Sequence, residues 1–212
     1  MSDVWSERAE VYRQSAAHSS GADLDLVVEW ADGCASAIDV ATGGGHVARR
    51  LREAGLQVVT CDPSPGMQPD VICFAEELPF AEASFDLAVT RVAAHHFADV
   101  AQATRELGRV ASKRVVVVDN LAMGPQVEKA EKIRDLSHVR NYSEAEWGHF
   151  LAAAGLVVED VRIFDFPIEF EPWLERTGCT GEDAERVRAL LAPNISDGWI
   201  ALERIAFRAH PA

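Results

Sequence analysis

Cysteine is scarce in this sequence, with four residues among 212, and none of them forms a C-x-x-C pair. The scatter of Cys34, Cys61, Cys73 and Cys179 argues against a structural zinc site and against a disulfide framework. Reduced thiols in a cytoplasmic protein are the simpler interpretation. No bound metal is expected.

Dense basic runs and long apolar runs are missing as well. Twenty Lys and Arg residues stand against 34 Asp and Glu, a formal net charge of −14, and such a negative field repels phosphate backbones. Nucleic acid is therefore not expected as a partner. No apolar stretch reaches the length of a membrane span, and the first residues lack the apolar core of a signal peptide. We expect a cytoplasmic monomer or homodimer without a membrane span.

Hydrophobic residues make up 48% of the chain, enough for one globular domain with a substantial core. Strand patterns alternate with helical patterns, which favours a doubly wound, mostly parallel α/β sheet. The predicted strands span residues 36–41, 57–62, 70–75, 85–91 and 114–119. Near the C-terminus, the extended stretches 156–170 and 199–207 flank a helical insertion at 171–191. They predict an antiparallel hairpin at one edge of the sheet.

A glycine-rich turn, Thr42-Gly43-Gly44-Gly45, joins the first strand to the first helix of this pattern. Glycines let a ligand approach the backbone closely, beside the unpaired N–H groups of the helix start. Asp62 ends the next strand, where an acid accepts hydrogen bonds from ribose hydroxyls. The pattern D-x-A-x-G-x-G differs from the dinucleotide pattern G-x-G-x-x-G. Asp39 suits a cationic ligand such as the aminoacyl group of S-adenosylmethionine (SAM).

Four motifs then occur in order: DVATGGGH, VVTCDPSPGM, AEELPFAEASFDLAVTRVAAHHF and RDLSHVRNYSEAEWGHFLAAAGL. With them the chain resembles a class I SAM-dependent methyltransferase. It is similar to the ubiquinone/menaquinone-biosynthesis group, which carries a methyltransferase type 11 domain. The resemblance covers residues 10–165. It implies a Rossmann-like sheet of seven strands with the last strand antiparallel, and SAM bound across the carboxyl ends of the strands.

The resemblance also implies roles for individual residues. Asp39 is expected near the SAM amino group, and Asp62 at the ribose hydroxyls. Further cofactor-binding positions are Ala41, Gly43 and Gly45 in the turn, Met67, Ala75 and Glu76 near the adenine, and Arg91 with Val92 at the methionine end. Residues 34–120 would form the SAM-binding core of a single domain. Residues 1–33 would form a helical cap, and residues 121–155 and 171–191 a lid or insert over the acceptor.

Two positions depart from the pattern of these relatives. Ala41 replaces the first glycine of the motif, which is a common variant. Phe74 stands where many relatives have an aspartate that binds the adenine amino group, and a phenyl ring cannot accept that hydrogen bond. Stacking and backbone groups would then hold the adenine, with lower affinity.

The candidates for the reaction itself are His95 and His96, just past the fourth strand, where ligands bind in such sheets. Either histidine could act as a base or orient the acceptor, since an imidazole titrates near neutral pH. Tyr12, His96 and His138 are the candidate acceptor contacts. A metal site at His95, His96 and Asp99 is disfavoured because it lacks a third, distant ligand.

Three functions remain open from the sequence. The first is methyl transfer from SAM to a small, apolar or aromatic acceptor. The second is a non-catalytic protein of the same fold that binds a small ligand or a partner subunit. Phe74 keeps this alternative open because it cannot accept the hydrogen bond from the adenine of SAM. The third is an NAD-dependent oxidoreductase, which the loop pattern disfavours.

Overall fold

The computed structural model describes residues 4–13 and 19–212. In this part of the chain eight strands form one sheet, in the order β3-β2-β1-β4-β5-β8-β6 with β7 paired to β8. The strands are β1 Ser36–Val40, β2 Gln57–Asp62, β3 Val71–Ile72, β4 Phe85–Arg91, β5 Ala111–Asn120, β6 Leu156–Glu169, β7 Ile195–Ser196 and β8 Trp199–Pro211. The pairs among β1 to β5 are parallel, and β8 runs antiparallel to both β5 and β6. The predicted doubly wound sheet with an antiparallel last strand is confirmed. The two-residue β7 adds an eighth strand to the seven that the resemblance implied.

Helices cover both faces of this sheet. They are α1 Val4–Arg13, α2 Ala22–Trp30, α3 His46–Glu53, α4 Val100–Val110, α5 Pro125–Arg134, α6 Glu144–Ala153, α7 Phe170–Glu175 and α8 Gly181–Leu191. Helix α6 begins with the predicted capping box, since Ser143 and Glu146 each accept from the other's backbone N–H. None of the described helices has the length and apolar character needed to cross a lipid bilayer.

The centre of the sheet is the valine run of β5. Val115 and Val117 pack into one apolar cluster and Val116 and Val118 into another, because successive side chains point to opposite faces. All four are fully or almost fully buried. Burial on both faces explains why this strand has a continuous β-branched sequence, and it fixes β4 and β5 at the middle of the sheet.

The C-terminal hairpin is longer than its sequence pattern indicated. β6 and β8 pair from Leu156 and Pro211 to Glu169 and Trp199, and β8 lies between β5 and β6. The segment between them forms α7 and α8, which share a third apolar cluster with α5. The insertion therefore packs beside the carboxyl end of β5.

Strand β3 is shorter than predicted, with only Val71 and Ile72 in the ladder instead of residues 70–75. It is an edge strand with one neighbour. Beyond it, Phe74 and Ala75 leave the sheet and line a cavity at its carboxyl edge. The residues that end the strand early are thus residues of the candidate site.

Candidate functional site

A cavity of about 660 Å³ opens at the carboxyl ends of β1, β2 and β4. Ligands bind at this edge in open α/β sheets because the loops there converge. Most of the predicted cofactor-binding residues line it, namely Asp39, Ala41, Gly43, Asp62, Met67, Ala75, Glu76 and Arg91. Gly45 lies outside the cavity wall and instead precedes α3 with a left-handed φ of +73°. Its part is conformational, since it turns the chain into the helix.

The glycine turn holds a strained shape beside the cavity. Ala41 has φ +56° and Gly43 has φ +50°, in the left-handed region that favours glycine. The Thr42 N–H donates to the Cys61 carbonyl at 3.0 Å, which ties the turn to the end of β2. An alanine in this region costs of order 1–3 kcal/mol, and such strain concentrates at ligand sites.

Asp39 lies buried beneath this turn. Its Oδ2 accepts hydrogen bonds from Thr42 Oγ1 at 2.6 Å and from the Ala48 N–H at 3.1 Å. Burial raises the pKa of this carboxyl from 3.8 to about 6, although both hydrogen bonds oppose the rise. A cation entering the cavity would stabilise the ionised carboxylate, so the site is suited to a positively charged group.

Asp62 ends β2 and connects two loops at the cavity wall. Its Oδ2 accepts from the Gly43 N–H at 3.0 Å, and its Oδ1 accepts from the Ser64 N–H at 2.9 Å. The carboxylate is thereby fixed in position between the glycine turn and the loop after β2. Such a preorganised acceptor suits the vicinal hydroxyls of a ribose.

The edge of the cavity near β3 carries an exposed aromatic ring. Phe74 lines the cavity with 67% of its surface exposed. Its neighbour Glu76 also lines the cavity and accepts the Asp99 N–H through Oε1 at 3.1 Å. An exposed phenyl ring offers a flat apolar surface for stacking and no hydrogen-bond acceptor.

Helix α1 covers part of the cavity from the other side. Ser6 Oγ accepts the Gly66 N–H at 2.8 Å, and Arg13 Nη1 donates to the Gly66 carbonyl at 3.0 Å. Trp5 lines the cavity and meets the His96 ring edge-on, with centroids 4.6 Å apart. Tyr12 belongs to α1, and its side chain lies outside what the structure describes.

His95 and Asp119 form a buried pair. His95 Nδ1 donates to Asp119 Oδ1 at 2.6 Å, and His95 also lines the cavity. Burial lowers the pKa of His95, but the charge and hydrogen bond of Asp119 outweigh it, and the pKa lies above 6.5. With Nδ1 committed to Asp119, Nε2 is the nitrogen left for a reactant, as in other oriented histidines.

The turn that presents His95 is strained. Val92 follows β4 with φ +55°, an outlier for a β-branched residue, while its N–H donates to the Val118 carbonyl at 2.7 Å. This conformation at Val92 turns the chain out of β4 and into the turn Ala94–His96. The backbone thus places His95 beside the end of β5, where Asp119 lies.

The other two histidines differ from His95. His96 lines the cavity, and its Nδ1 donates to the Ser137 carbonyl at 3.0 Å. Burial, followed by the charge of the neighbouring His95, lowers the pKa of His96 well below 6.5, which favours the neutral imidazole. His138 contacts Glu128 Oε1 at 3.2 Å and stacks 5.5 Å from His95. It is not among the residues that line the cavity, and its contact with Glu128 ties it to helix α5. Its contact with the acceptor stays a prediction.

Sequence reasoning missed a buried ionic cluster at the cavity. Arg91 Nε donates to Asp23 Oδ2 at 2.8 Å, and Arg204 Nη1 donates to the same oxygen at 3.0 Å. All three side chains are at most 4% exposed. The available signal in the sequence was Arg204, a charged residue within the apolar strand β8. Its partner Asp23 in α2 is 181 residues away, so the sequence did not indicate the pairing. Arg134, Asp135, Trp173 and Arg176 also line the cavity.

Comparison with known proteins gives consistent matches. Residues 38–118 match the model of a methyltransferase domain. The uncharacterized methyltransferase YcgJ of Bacillus subtilis is 32% identical over 207 residues, covering 86% of this chain and 82% of that protein. Its crystal structure superposes with a TM-score of 0.81 at 26% identity, over 90% of this chain and 98% of that one. Geranyl diphosphate methyltransferase in complex with SAM shares the fold, with a TM-score of 0.65 at 14% identity, over 90% and 85% of the two chains.

Proposed function

This chain belongs to the class I SAM-dependent methyltransferases, and we propose that it moves a methyl group from SAM to a small-molecule acceptor, with His95 as the base. The observation that carries the proposal is the 2.6 Å hydrogen bond that Asp119 accepts from His95, which lines the same cavity as the glycine turn. A base and a cofactor site that share one cavity are what a deprotonating methyl transfer requires.

The residues around the turn fit SAM as the cofactor. Asp39 would hold the aminoacyl ammonium, because a cation there relieves the cost of a buried carboxylate. Asp62 would hold the ribose hydroxyls, and Met67 with Phe74 would contact the adenine faces. When bound, SAM supplies a methyl group on a positively charged sulfur. The chain contributes position and charge, since in-line displacement depends mainly on alignment.

His95 would remove the proton from the acceptor through Nε2. Asp119 is a positioning residue, because it fixes the tautomer of the imidazole and stabilises its protonated form. The same pair suits an acceptor hydroxyl, amine or acidic carbon. Positioned general bases typically contribute about 10²- to 10⁴-fold to the rate.

The lid and cap expected from the sequence retain their place in this proposal. Helix α1 docks on Gly66 and brings Trp5 to the cavity. Arg134 at the end of α5 and Trp173 in α7 line the far side. These segments would exclude water from the reaction and shape the acceptor pocket, within the single domain expected for residues 1–212.

Calorimetric titration with SAM and S-adenosylhomocysteine tests the cofactor step. We expect binding in the micromolar range, weakened at least tenfold in Asp62→Asn. Asp183→Asn is the matched control, since Asp183 is an exposed carboxylate on α8 whose contact is the surface residue Arg186. No binding at millimolar ligand would overturn the proposal in favour of a non-catalytic protein. Thermal stabilisation by NAD instead would favour the oxidoreductase.

The base is tested separately with His95→Gln. The variant should bind S-adenosylhomocysteine like the wild type and lose turnover in a methyl-transfer screen of small hydroxyl, amine and carbon acceptors. A variant with wild-type turnover would show that His95 is not the base.

A further inference from the structure

Most of the charged side chains that line the cavity are grouped by sign. The acids Asp39, Asp62 and Glu76 belong to β1, β2 and the segment after β3. The arginines belong to β4, β8, the end of α5 and the segment after α7, and they are Arg91, Arg204, Arg134 and Arg176. Because the sheet order is β3-β2-β1-β4-β5-β8, these three acids lie at one end of the cavity and the arginines toward the other. One further acid, Asp135, lies at the arginine end, where its Oδ1 accepts from Ser137 Oγ at 2.6 Å.

Arg204 shares its carboxylate partner with a second arginine of the cavity. Among the described residues its guanidinium forms an ion pair with Asp23, and Asp23 also receives Arg91. The Arg204 Nε is buried and has no hydrogen-bond partner within the described structure. Burial, with the repulsion of Arg91, lowers the pKa of Arg204 to about 10 despite the opposing charges of Asp23 and Asp119. A buried cation that shares its counter-charge is costly, and an entering anion would offset that cost.

The surroundings of Arg204 are apolar and aromatic. Its guanidinium stacks on the Phe166 ring with 3.4 Å to the centroid, and Leu202 lines the cavity two residues earlier on β8. Trp173 lines the same side and carries the Arg134 guanidinium at 4.0 Å, while Arg134 pairs with Glu131 at 3.1 Å. Arg134 therefore has a carboxylate partner of its own, whereas Arg204 shares Asp23 with Arg91.

We infer that the acceptor combines an apolar or aromatic body with an oxyanion, a carboxylate or a phosphate, that binds at the Arg204 end of the cavity. The inference rests on the proposed function, since it assigns the acid end to SAM and the arginine end to the acceptor. A guanidinium donates paired N–H groups to the two oxygens of such an anion, and aromatic walls receive the remaining body.

The test uses the full chain saturated with S-adenosylhomocysteine and two pairs of probes. Benzoate is compared with benzamide, and phenyl phosphate with phenol, by calorimetric titration. We expect at least one anion to bind tenfold or more tightly than its uncharged partner. The pair with the larger difference in affinity shows whether the anionic group of the acceptor is a carboxylate or a phosphate.

Variants assign the preference to Arg204. Arg204→Met should remove it while S-adenosylhomocysteine affinity stays within twofold. Arg208→Met is the matched control, because Arg208 lies four residues on along β8 and outside the cavity, paired with Glu159. Asp23→Asn removes the shared counter-charge and should raise anion affinity at least threefold. Anion affinity should therefore rise in Asp23→Asn and fall in Arg176→Gln. These two opposite changes test the inference even if Arg204→Met does not fold.

The outcomes separate this inference from the proposed function. Binding of S-adenosylhomocysteine with equal affinity for charged and uncharged probes would overturn the inference and leave the methyltransferase proposal standing. If Arg204→Met lost S-adenosylhomocysteine affinity by the same factor as anion affinity, the arginine would belong to the cofactor site. That result would also overturn the inference. Failure to bind S-adenosylhomocysteine at all would overturn both.

Discussion

His95 donates its Nδ1 proton to Asp119 Oδ1 across 2.6 Å, with both side chains buried. The pairing follows from the sheet, because β4 and β5 are parallel neighbours with Arg91 opposite Val118. The residue that turns out of β4 is thus brought alongside the residue that ends β5. This relationship fixes the orientation of the histidine that we propose as the base.

Asp119→Asn is expected to lower kcat by about 100-fold, the low end of the range for a general base, because the imidazole loses its fixed tautomer. Asp119 raises the pKa of His95. Without that charge, the acid limb of the rate profile should move to lower pH. The measurement is kcat against pH with any acceptor found in the screen.

S-adenosylhomocysteine affinity should stay within twofold in this variant, as a check that the fold and the cofactor site are intact. A rate loss with an unchanged acid limb would contradict the assignment of Asp119 to His95.

Asp39→Asn should stabilise the ligand-free protein at alkaline pH. The folded-state pKa of about 6 lies above the ordinary 3.8, so ionised Asp39 opposes folding increasingly as pH rises from about 4 to 6. A difference of about two between the folded and unfolded pKa values corresponds to a loss of about 3 kcal/mol in the free energy of unfolding once Asp39 is fully ionised. We expect a gain of about 1–3 kcal/mol in the free energy of unfolding at pH 8, and a gain about 1 kcal/mol smaller at pH 5.

Urea denaturation at the two pH values measures both gains. The same variant should bind S-adenosylhomocysteine at least tenfold more weakly, because the ligand's ammonium loses its counter-charge. Equal gains at pH 5 and pH 8 would show that the charge of Asp39 is not the cause.

Gly66→Ala should detach helix α1 from the cofactor end of the cavity. A Cβ at this position would lie 2.5 Å from the Ser6 Cα, a backbone atom that cannot rotate away. We expect a roughly fivefold loss of S-adenosylhomocysteine affinity, about 1 kcal/mol, and faster proteolysis within α1. Titration and limited proteolysis measure the two effects.

Gly148→Ala is the matched control, since nothing lies within 4 Å of a Cβ there. Gly148 is in helix α6, where alanine is favoured by about 0.5–1 kcal/mol. The control should be slightly more stable and bind normally. If both variants bind S-adenosylhomocysteine normally, α1 does not contribute to the cofactor site.

Phe74→Asp should strengthen binding of S-adenosylhomocysteine by about fivefold. The side chain lies at the cavity with 67% exposure, so a carboxylate there stays hydrated and can accept from the adenine amino group. Leu136→Asp controls for added surface charge, because Leu136 is 94% exposed and outside the cavity. Weaker binding by Phe74→Asp, matched by Phe74→Ala, would indicate that stacking on the ring already supplies the adenine affinity.

The sequence by itself determined the half of the molecule that we propose to bind the cofactor. Its strand, glycine turn and helix at residues 36–55, the acids Asp39 and Asp62, and the capping box at Ser143 all lie within short segments. Local rules of periodicity, turn chemistry and capping decide such features. They placed β2 and β4 at their observed bounds, and all the predicted cofactor positions except Gly45 line one cavity.

Only the tertiary structure decided the acceptor half. Asp23 and Arg204 are 181 residues apart, His95 and Asp119 are 24 apart, and α1 reaches Gly66 across 60 residues. Periodicity tells which face of an element a residue occupies, but not which element packs against that face. The insertion of β8 between β5 and β6 supplied Arg204 to the cavity, and that strand order is a property of the whole sheet.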